Sequence, residues 1–227
     1  KETEESTAQL RRVVTDQLAR TAAQSTVFDS ALVQENWTMP STATLLTGLF
    51  PTTHRAKTET SKVPESVQLA SQHFRKLGFA TAAFVANGYV SGKFGFERGW
   101  DQWTNYVREG KPNRAQFVAD DVIAWLERRP KDKRFFLYVH TIDPHVPYMP
   151  PREYSARYDN EPYSGPVVST ETAKLLEKIK VGAIHLSDRD KKRLMALYDG
   201  ELSYHDDHLA RIFAALESGG LLDDTLV

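Results

Sequence analysis

The chain alternates between two hydrophobic patterns. One pattern repeats apolar residues at helical spacing, and the other consists of short apolar or β-branched runs that suit strands. The predicted helices are 1–24, 40–48, 64–78, 114–130 and most of the last third of the chain. The predicted strands are 25–33, 79–86 and 134–140, with the entry to a further strand at 223–227. This alternation predicts an α/β layered fold, with a mainly parallel sheet and helices on both faces.

Proline and glycine mark the ends of these elements. Pro40 and Pro64 stand at the predicted start of two helices, each with a glycine just past its end. The last long helix begins at the capping residue Ser187. Between the elements, 87–103 is predicted to be a glycine-rich loop, and 141–166 is a long loop that carries six of the eleven prolines. A loop of that length in a compact domain is usually functional or disordered.

Composition adds limits to this picture. At 227 residues the chain fits one large domain or two small ones, and one domain is the simpler interpretation. A net charge of −1 from 29 basic and 30 acidic residues gives no global field that favours nucleic acid or a membrane surface. No apolar stretch approaches the roughly 18 to 20 residues that cross a bilayer. The absence of cysteine excludes disulfides, thiolate metal clusters and a cysteine nucleophile. Any anion site must therefore be local.

The carboxyl ends of the strands are where a ligand is expected in such a sheet. Three segments are predicted to reach that edge: the loop and helix start at 37–42, the loop that begins at Asn87, and the loop that begins at His140. The chemistry of the protein should be sought in these segments.

The first segment places hydroxyl side chains around the start of a helix. These are Thr38, Ser41, Thr42, Thr44 and Thr47. A helix N-terminus offers unpaired N–H groups and a partial positive charge, so it binds anions, and a hydroxyl beside it can cap the helix, hold an oxyanion or attack one. Simple capping by serine and threonine is the alternative, and the stretch taken alone favours it.

The segment "FLYVHTIDPHVPY" adds two imidazoles. His140 and His145 flank Asp143, and Pro144 and Pro147 stiffen the loop. Histidines held in this way can bind an oxyanion or protonate a leaving group. Their presence makes a functional role for the helix start as reasonable as a structural one.

Two further patterns are less informative. His205 and His208 lie three residues apart in "YHDDHLAR", which is compatible with a metal site, but the apolar spacing around them is that of a packed helix whose acids and histidines face solvent. The glycines and lysine of "GKFGFERGW" lack the spacing of a phosphate-binding P-loop.

Taken together, these segments resemble the sulfatase family of the alkaline phosphatase superfamily. The family signature is a nucleophile, any residue, Pro, Ser, usually Arg, then a run that ends in Leu-Thr-Gly and an aromatic-Pro pair; here it reads "TMPST" at 38–42, followed by "ATLLTGLFP". Three more blocks resemble the family in the same order, so that the resemblance spans roughly 25–227. They are "TAAFVANGYVSGKFGFERGWDQW", "FFLYVHTIDPHVPYMPP" and "YDGELSYHDDHLARIFAALESGGLLDDTLV".

The resemblance implies roles for individual residues. Thr38 matches the nucleophile, which also ligates the metal; in sulfatases it is a cysteine or serine converted to formylglycine, whereas the related phosphoethanolamine transferases use an unmodified threonine. His145, and with it His140, matches a histidine that contacts the transferred group. The Lys-x-His site of the family is not reproduced, and Asn87 and Lys93 are the nearest polar candidates.

The resemblance also implies an oxyanion cradle at the helix start. Pro40, Ser41 and Thr42 would form it, with the side chains of Ser41 and Thr42 contacting the substrate. Thr42 stands where the family usually has arginine, which removes a charge that would support the nucleophile and the metal. The implied substrates are small-molecule or glycan esters of sulfate or phosphate, and relatives are often periplasmic or membrane-anchored.

The implied cofactor is a divalent metal ion, calcium first, with magnesium or manganese as alternatives. Its usual ligands come from an Asp-rich turn after the first strand and from a later Asp-His pair, and this sequence contains neither. The chain therefore looks like a fragment, incomplete at both ends, and we expect its 227 residues alone to be nearly inactive. The alternative is a degenerate sulfatase-like domain that binds an anionic ligand or a protein partner without catalysis.

Overall fold

The computed structural model of the protein describes residues 15–227, which form two compact units. One, the sheet unit, comprises 27–142; the other, the helical unit, comprises 143–227 together with the segment before residue 27. The helices are α1 (Asp16–Ala23), α2 (Thr38–Thr47), α3 (Pro51–His54), α4 (Ala70–Lys76), α5 (Ala115–Arg128), α6 (Arg152–Ser155), α7 (Thr172–Lys180) and α8 (Asp188–Ser218). The strands are β1 (Ala80–Val85), β2 (Gln102–Asn105) and β3 (Phe135–His140).

The three strands form a parallel sheet in the order β2-β1-β3. Val85, the last residue of β1, is in register with Asn105 of β2 and with His140 of β3, so the three strands end at one edge. All six residues of the central strand β1 are buried. The predicted α/β fold with a parallel sheet is thereby confirmed, and His140 and the loop that starts at Asn87 both lie at the carboxyl edge.

The core of the sheet unit lies between α2 and one face of the sheet. Met39 and Ala43 of α2 are fully buried in a cluster against which Phe136 and Tyr138 of β3 pack. Phe136 stacks on Trp100 with ring centroids 5.3 Å apart. Burial of these apolar side chains fixes the first turns of α2 against β3.

The helical unit is organised around α8, which has 31 residues. The Ser187 side chain caps it, as predicted, by accepting a hydrogen bond from the Asp190 amide, and the Asp190 carboxylate accepts one from the Ser187 amide. Buried Asp159 accepts a bond from Arg189 at 2.8 Å, which ties the preceding loop to α8. Asp206 of α8 accepts hydrogen bonds from the amides of Gln17 and Leu18 and so caps α1.

Several predicted elements were wrong in place or extent. No strand occurs at 25–33: Phe28 is 77% exposed and Leu32 is 88% exposed, and no other strand of the described residues pairs with this segment. A β-branched run needs a partner ladder to become a strand, and here it has none. The end segment 223–227 is likewise not a strand.

Two other boundaries also differ from the predictions. The helix predicted at 64–78 is reduced to α4, because 64–69 adopts a turn and extended structure. The predicted loop 87–103 contains the start of β2, whose four residues carry too short a pattern to be recognised. The helix predicted over 1–24 is confirmed at 16–23 by α1, and its first part, with Leu10, Val13 and Val14, lies outside the described residues. Across 15–227 no helix is both long and apolar enough to cross a membrane.

Candidate active site

Helix α2 starts two residues earlier than predicted, at Thr38 instead of Pro40. The capping residue Trp37 is extended (φ −145°) and provides no side-chain cap, and the first backbone bond runs from the Ser41 amide to the Trp37 carbonyl at 3.4 Å. Within residues 15–227, the amides of Thr38 and Met39 have no hydrogen-bond acceptor. The unpaired N–H groups at this helix start are therefore those of 38–39, and Pro40 has no N–H.

The five hydroxyls of this helix differ in how they are used. Ser41 donates to the Glu35 carbonyl at 2.6 Å, and Thr47 donates to the Ala43 carbonyl at 2.6 Å. Thr44 lies 3.1 Å from Nε2 of His54. These three side chains hold the loop and the helix in place, which is the structural role that the stretch alone favoured.

The other two hydroxyls of α2 belong to Thr42 and Thr38. Thr42 is 6% exposed, and its side chain interacts with the hydroxyl of Tyr138 on β3. Thr38 is half-buried, and in the part of the chain that the structure describes its hydroxyl has no hydrogen-bond partner. Thr38 thus carries the one uncommitted hydroxyl of α2, on the same residue as one of the uncommitted amides.

His140 ends β3 and is half-buried. Its Nδ1 lies 2.9 Å from the hydroxyl of Tyr138, two residues earlier on the same face of the strand. Burial lowers the pKa of His140 below its usual value, so the ring is neutral near pH 7. The sequence did not single out Tyr138, although its spacing from His140 places both side chains on one face.

Asn87 follows β1 and is 8% exposed. Its side-chain oxygen accepts a hydrogen bond from the Tyr89 amide at 2.9 Å, and its carbonyl accepts one from the Asn105 side chain at 3.0 Å. Asn87 therefore shapes the loop, and its side-chain NH₂ is the group left for a ligand. The second candidate, Lys93, lies over the ring of Phe94 at 5.0 Å.

His145 belongs to the helical unit and is exposed. Its Nδ1 lies 2.9 Å from the Val146 carbonyl, which can only accept, so Nδ1 carries a proton and donates. In the neutral ring Nε2 is then an acceptor, and it becomes a donor only when His145 is protonated. Thr38, Ser41, Thr42, Asn87 and His140 all belong to the sheet unit.

The described residues do not form a divalent metal site by themselves. No group of three or more His, Asp or Glu side chains in 15–227 is arranged to hold a metal ion. Thr38 is a single candidate oxygen ligand, and hard cations need six or more oxygens. His205 and His208 are not such a site either, because Asp206 between them is 3% exposed and caps α1, whereas the sequence predicted that it faces solvent.

One residue that positions the site escaped sequence analysis. His54 is completely buried in the sheet unit and contacts α2 through Thr44. The signal that could have found it is its place three residues after Pro51, in the polar segment that follows the Leu-Thr-Gly run.

Comparison with known proteins decides the family. The model of the family described as Sulfatase matches residues 6–227. The chain belongs to the sulfatase family. Sulfatases generally depend on a divalent metal ion, and the family and its neighbours are ester hydrolases.

Two curated relatives extend this assignment. An arylsulfatase of Clostridium perfringens is 28% identical over 145 residues, which cover 62% of this chain and 28% of that protein. The multifunctional alkaline phosphatase superfamily protein PehA of Trinickia caryophylli is 26% identical over 224 residues, which cover 80% of this chain and 42% of that protein. The chain thus spans less than half the length of these curated relatives.

Solved structures show the same fold. BT4656, determined in complex with its substrate D-glucosamine-2-N,6-O-disulfate, matches with a TM-score of 0.70 and 16% identity, over 94% of this chain and 59% of that one. The phosphonate monoester hydrolase of Agrobacterium radiobacter matches with a TM-score of 0.61 and 18% identity, over 86% of this chain and 52% of that one. At these identities the likeness concerns the fold alone.

Proposed function

We propose that this chain is the catalytic part of a hydrolase or transferase of sulfate or phosphate esters in which Thr38 is the nucleophile. The amides of Thr38 and Met39 would bind an oxygen of the transferred group, and Ser41, Thr42, Asn87 and His140 of the same unit would contact the substrate. The unbroken family match over 6–227 supports one catalytic domain.

The observation that carries the proposal is that the hydroxyl and the amide of Thr38 have no hydrogen-bond partner within 15–227. Of the five hydroxyls on α2, its hydroxyl alone has no partner within 15–227, and it stands at the helix end where two amides are also uncommitted. A tetrahedral anion at a helix N-terminus is held by such amides. An alcohol next to that anion is positioned to attack it, which is the requirement for covalent catalysis.

The substrate class follows from the relatives and remains a proposal. One neighbour was solved with a sulfated glucosamine and another is a phosphonate monoester hydrolase, so we propose a small-molecule or glycan ester of sulfate or phosphate. We also propose dependence on a divalent cation, calcium before magnesium or manganese, with Thr38 as one ligand. Ionising an alcohol near pH 7 requires a cation or a base, and the described residues offer Thr38 neither.

The test is Thr38→Ala in the natural full-length protein, assayed side by side on an aryl sulfate and an aryl phosphodiester. We expect turnover of the preferred ester to fall at least ~1,000-fold, because a lost nucleophile is not replaced by binding alone. Thr47→Ala is the matched control, since that hydroxyl bonds only to backbone groups, the Ala43 carbonyl and the Leu49 amide. Unchanged turnover in Thr38→Ala would refute the proposal.

A second function is favoured by one observation. Thr42, at the position where the family usually has arginine, is buried and turned towards Tyr138, so no cation supports the nucleophile from that position. A domain with this change can bind anionic glycans or a partner without catalysis. Calorimetry of the full-length protein with calcium or manganese separates the two: tight binding favours the enzyme, and no binding favours the binding domain.

A further inference from the structure

We propose that Tyr138 is a positioning residue that holds His140 in the tautomer with the proton on Nε2, so that His140 presents a hydrogen-bond donor to an anionic oxygen of the ligand. This inference rests on the proposed function for its purpose. It names how one predicted substrate contact works and adds a residue that neither the signature nor the sequence pattern assigned.

The geometry begins with β3. Tyr138 and His140 are two residues apart, so both side chains point to the same face of the sheet, and that face is the one against which the cluster containing Met39 packs. The Tyr138 hydroxyl lies 2.9 Å from Nδ1 of His140, and the two rings meet at 74°. The distance is that of a good hydrogen bond. Packing of Tyr138 near Trp100, with ring centroids 6.3 Å apart, restricts its movement.

The Tyr138 hydroxyl is the donor of that bond. Burial raises the pKa of Tyr138 to about 12, and the smaller effect of the Thr42 side chain lowers it, so the phenol is protonated near pH 7. Among residues 15–227, Nδ1 of His140 is the acceptor that lies at hydrogen-bond distance from the phenol O–H, so this proton points to Nδ1.

The state of His140 then follows. Burial keeps the imidazole neutral near pH 7, and a neutral imidazole has one N–H. When Nδ1 accepts from Tyr138, the proton lies on Nε2. Among residues 15–227, Nε2 of His140 has no hydrogen-bond partner, so this N–H is available to a ligand.

The hydrogen bond from Tyr138 makes His140 a neutral hydrogen-bond donor towards a ligand. A neutral ring with Nε2–H donates a hydrogen bond to an oxyanion without acting as a base and without a charge that burial would oppose. His145 has the opposite arrangement, because its Nδ1 donates to a carbonyl. The sequence "VHTIDPH" therefore carries two histidines of different chemistry, and only the local partners reveal it.

The first experiment needs no turnover. Long-range ¹H–¹⁵N correlation spectra of the ¹⁵N-histidine-labelled natural full-length protein distinguish the two neutral tautomers, and His140→Gln assigns the signals. We expect His140 to be protonated on Nε2 in the wild type and to become a mixture of tautomers in Tyr138→Phe. Tyr106→Phe is the matched control, because Tyr106 is also buried in the sheet unit and its hydroxyl donates to Asp121, away from His140.

Either result decides the inference. An Nδ1-protonated His140 in the wild type overturns it, whether or not Tyr138→Phe folds. An unchanged tautomer in a folded Tyr138→Phe also overturns it.

A second measurement links the tautomer to the ligand. We expect Tyr138→Phe to weaken the binding of inorganic sulfate or phosphate to the full-length protein about threefold to tenfold, with no change in Tyr106→Phe. If the tautomer shifts but anion binding does not, the role of His140 towards the ligand is overturned. If the tautomer and anion binding both change while no ester is turned over by any variant, the proposed function fails and this inference stands.

Discussion

Nε2 of His54 lies 3.1 Å from Oγ1 of Thr44, a contact that links the short helix α3 to the helix that begins at Thr38. Nδ1 of the same ring accepts a hydrogen bond from the Ala56 amide at 3.1 Å, so Nε2 carries the proton and Thr44 is its acceptor. The ring is completely buried. His54 thus fixes the middle of α2, and through it the position of the helix start at Thr38.

Removal of this ring should destabilise the sheet unit. We expect His54→Ala to lower the free energy of unfolding by on the order of 2 kcal/mol, because it leaves the Ala56 amide buried without its acceptor. Urea unfolding followed by tryptophan fluorescence measures this, since all four tryptophans lie in the sheet unit. His73→Ala is the control at an exposed helical histidine, and equal effects of the two changes would contradict the role given to His54.

Acidification should destabilise the same unit. Burial lowers the pKa of both His54 and His140, so the unfolded chain takes up protons near pH 6.5 while the folded chain takes them up only at lower pH. Between these values the unfolded state binds more protons, and stability falls as the pH falls. The urea midpoint should decrease from pH 7.5 to pH 5.5, and it should decrease less in His54→Ala. If the urea midpoint fell equally with pH in the wild type and in His54→Ala, the assignment of His54 as buried and neutral would be contradicted.

Gly99 should not tolerate a side chain. Its φ is +82°, and a Cβ there would lie 2.5 Å from the backbone nitrogen of Gln72 in α4. Gly99→Ala should cost at least ~2 kcal/mol, because it combines a left-handed backbone with a clash against another backbone segment. Gly110→Ala shares the positive φ but meets nothing within 4 Å, so it should cost about 1 kcal/mol. If urea unfolding showed the same loss of stability in Gly99→Ala and Gly110→Ala, the close approach of Gln72 to Gly99 would have no effect on stability.

Chelation tests the proposed cofactor. Treatment of the natural full-length protein with EDTA should abolish ester turnover, and calcium should restore it better than magnesium or manganese. Thr38→Ala, if Thr38 is a ligand, should also weaken calcium binding in calorimetry. Full activity after exhaustive chelation would contradict the cofactor proposal while leaving the family assignment intact.

The sequence pattern predicted which segments carry the candidate site residues, but not which of their side chains are available. The Pro-Ser run and the Leu-Thr-Gly end identified α2, and two histidines in a proline-rich loop identified the second segment. The pattern could not separate Thr38 from Ser41 or Thr47, since all are hydroxyls at helical spacing. Only the backbone carbonyls at Glu35 and Ala43 show which hydroxyls are already bonded.

The strand at 25–33 failed for a related reason. Val27 and Phe28 have the composition of a strand, but a strand exists only where a second strand supplies its hydrogen bonds, and none does so among the described residues. The opposite error occurred at β2, whose four residues are paired with β1 although their own pattern is weak.

The sequence by itself determined the class of the fold and the places of its longer helices and of β1 and β3, because hydrophobic period, proline and glycine act over a few residues at a time. It also placed the loop at Asn87 and the end of β3 at His140 on the carboxyl edge of the sheet. Tertiary structure alone decided the state of the polar groups, because their partners are distant in the chain: the Gln17 amide is capped by Asp206, 189 residues away, and Thr42 meets Tyr138 across the core. Whether a hydroxyl or an imidazole is available for chemistry depends on such partners, and no local pattern contains them.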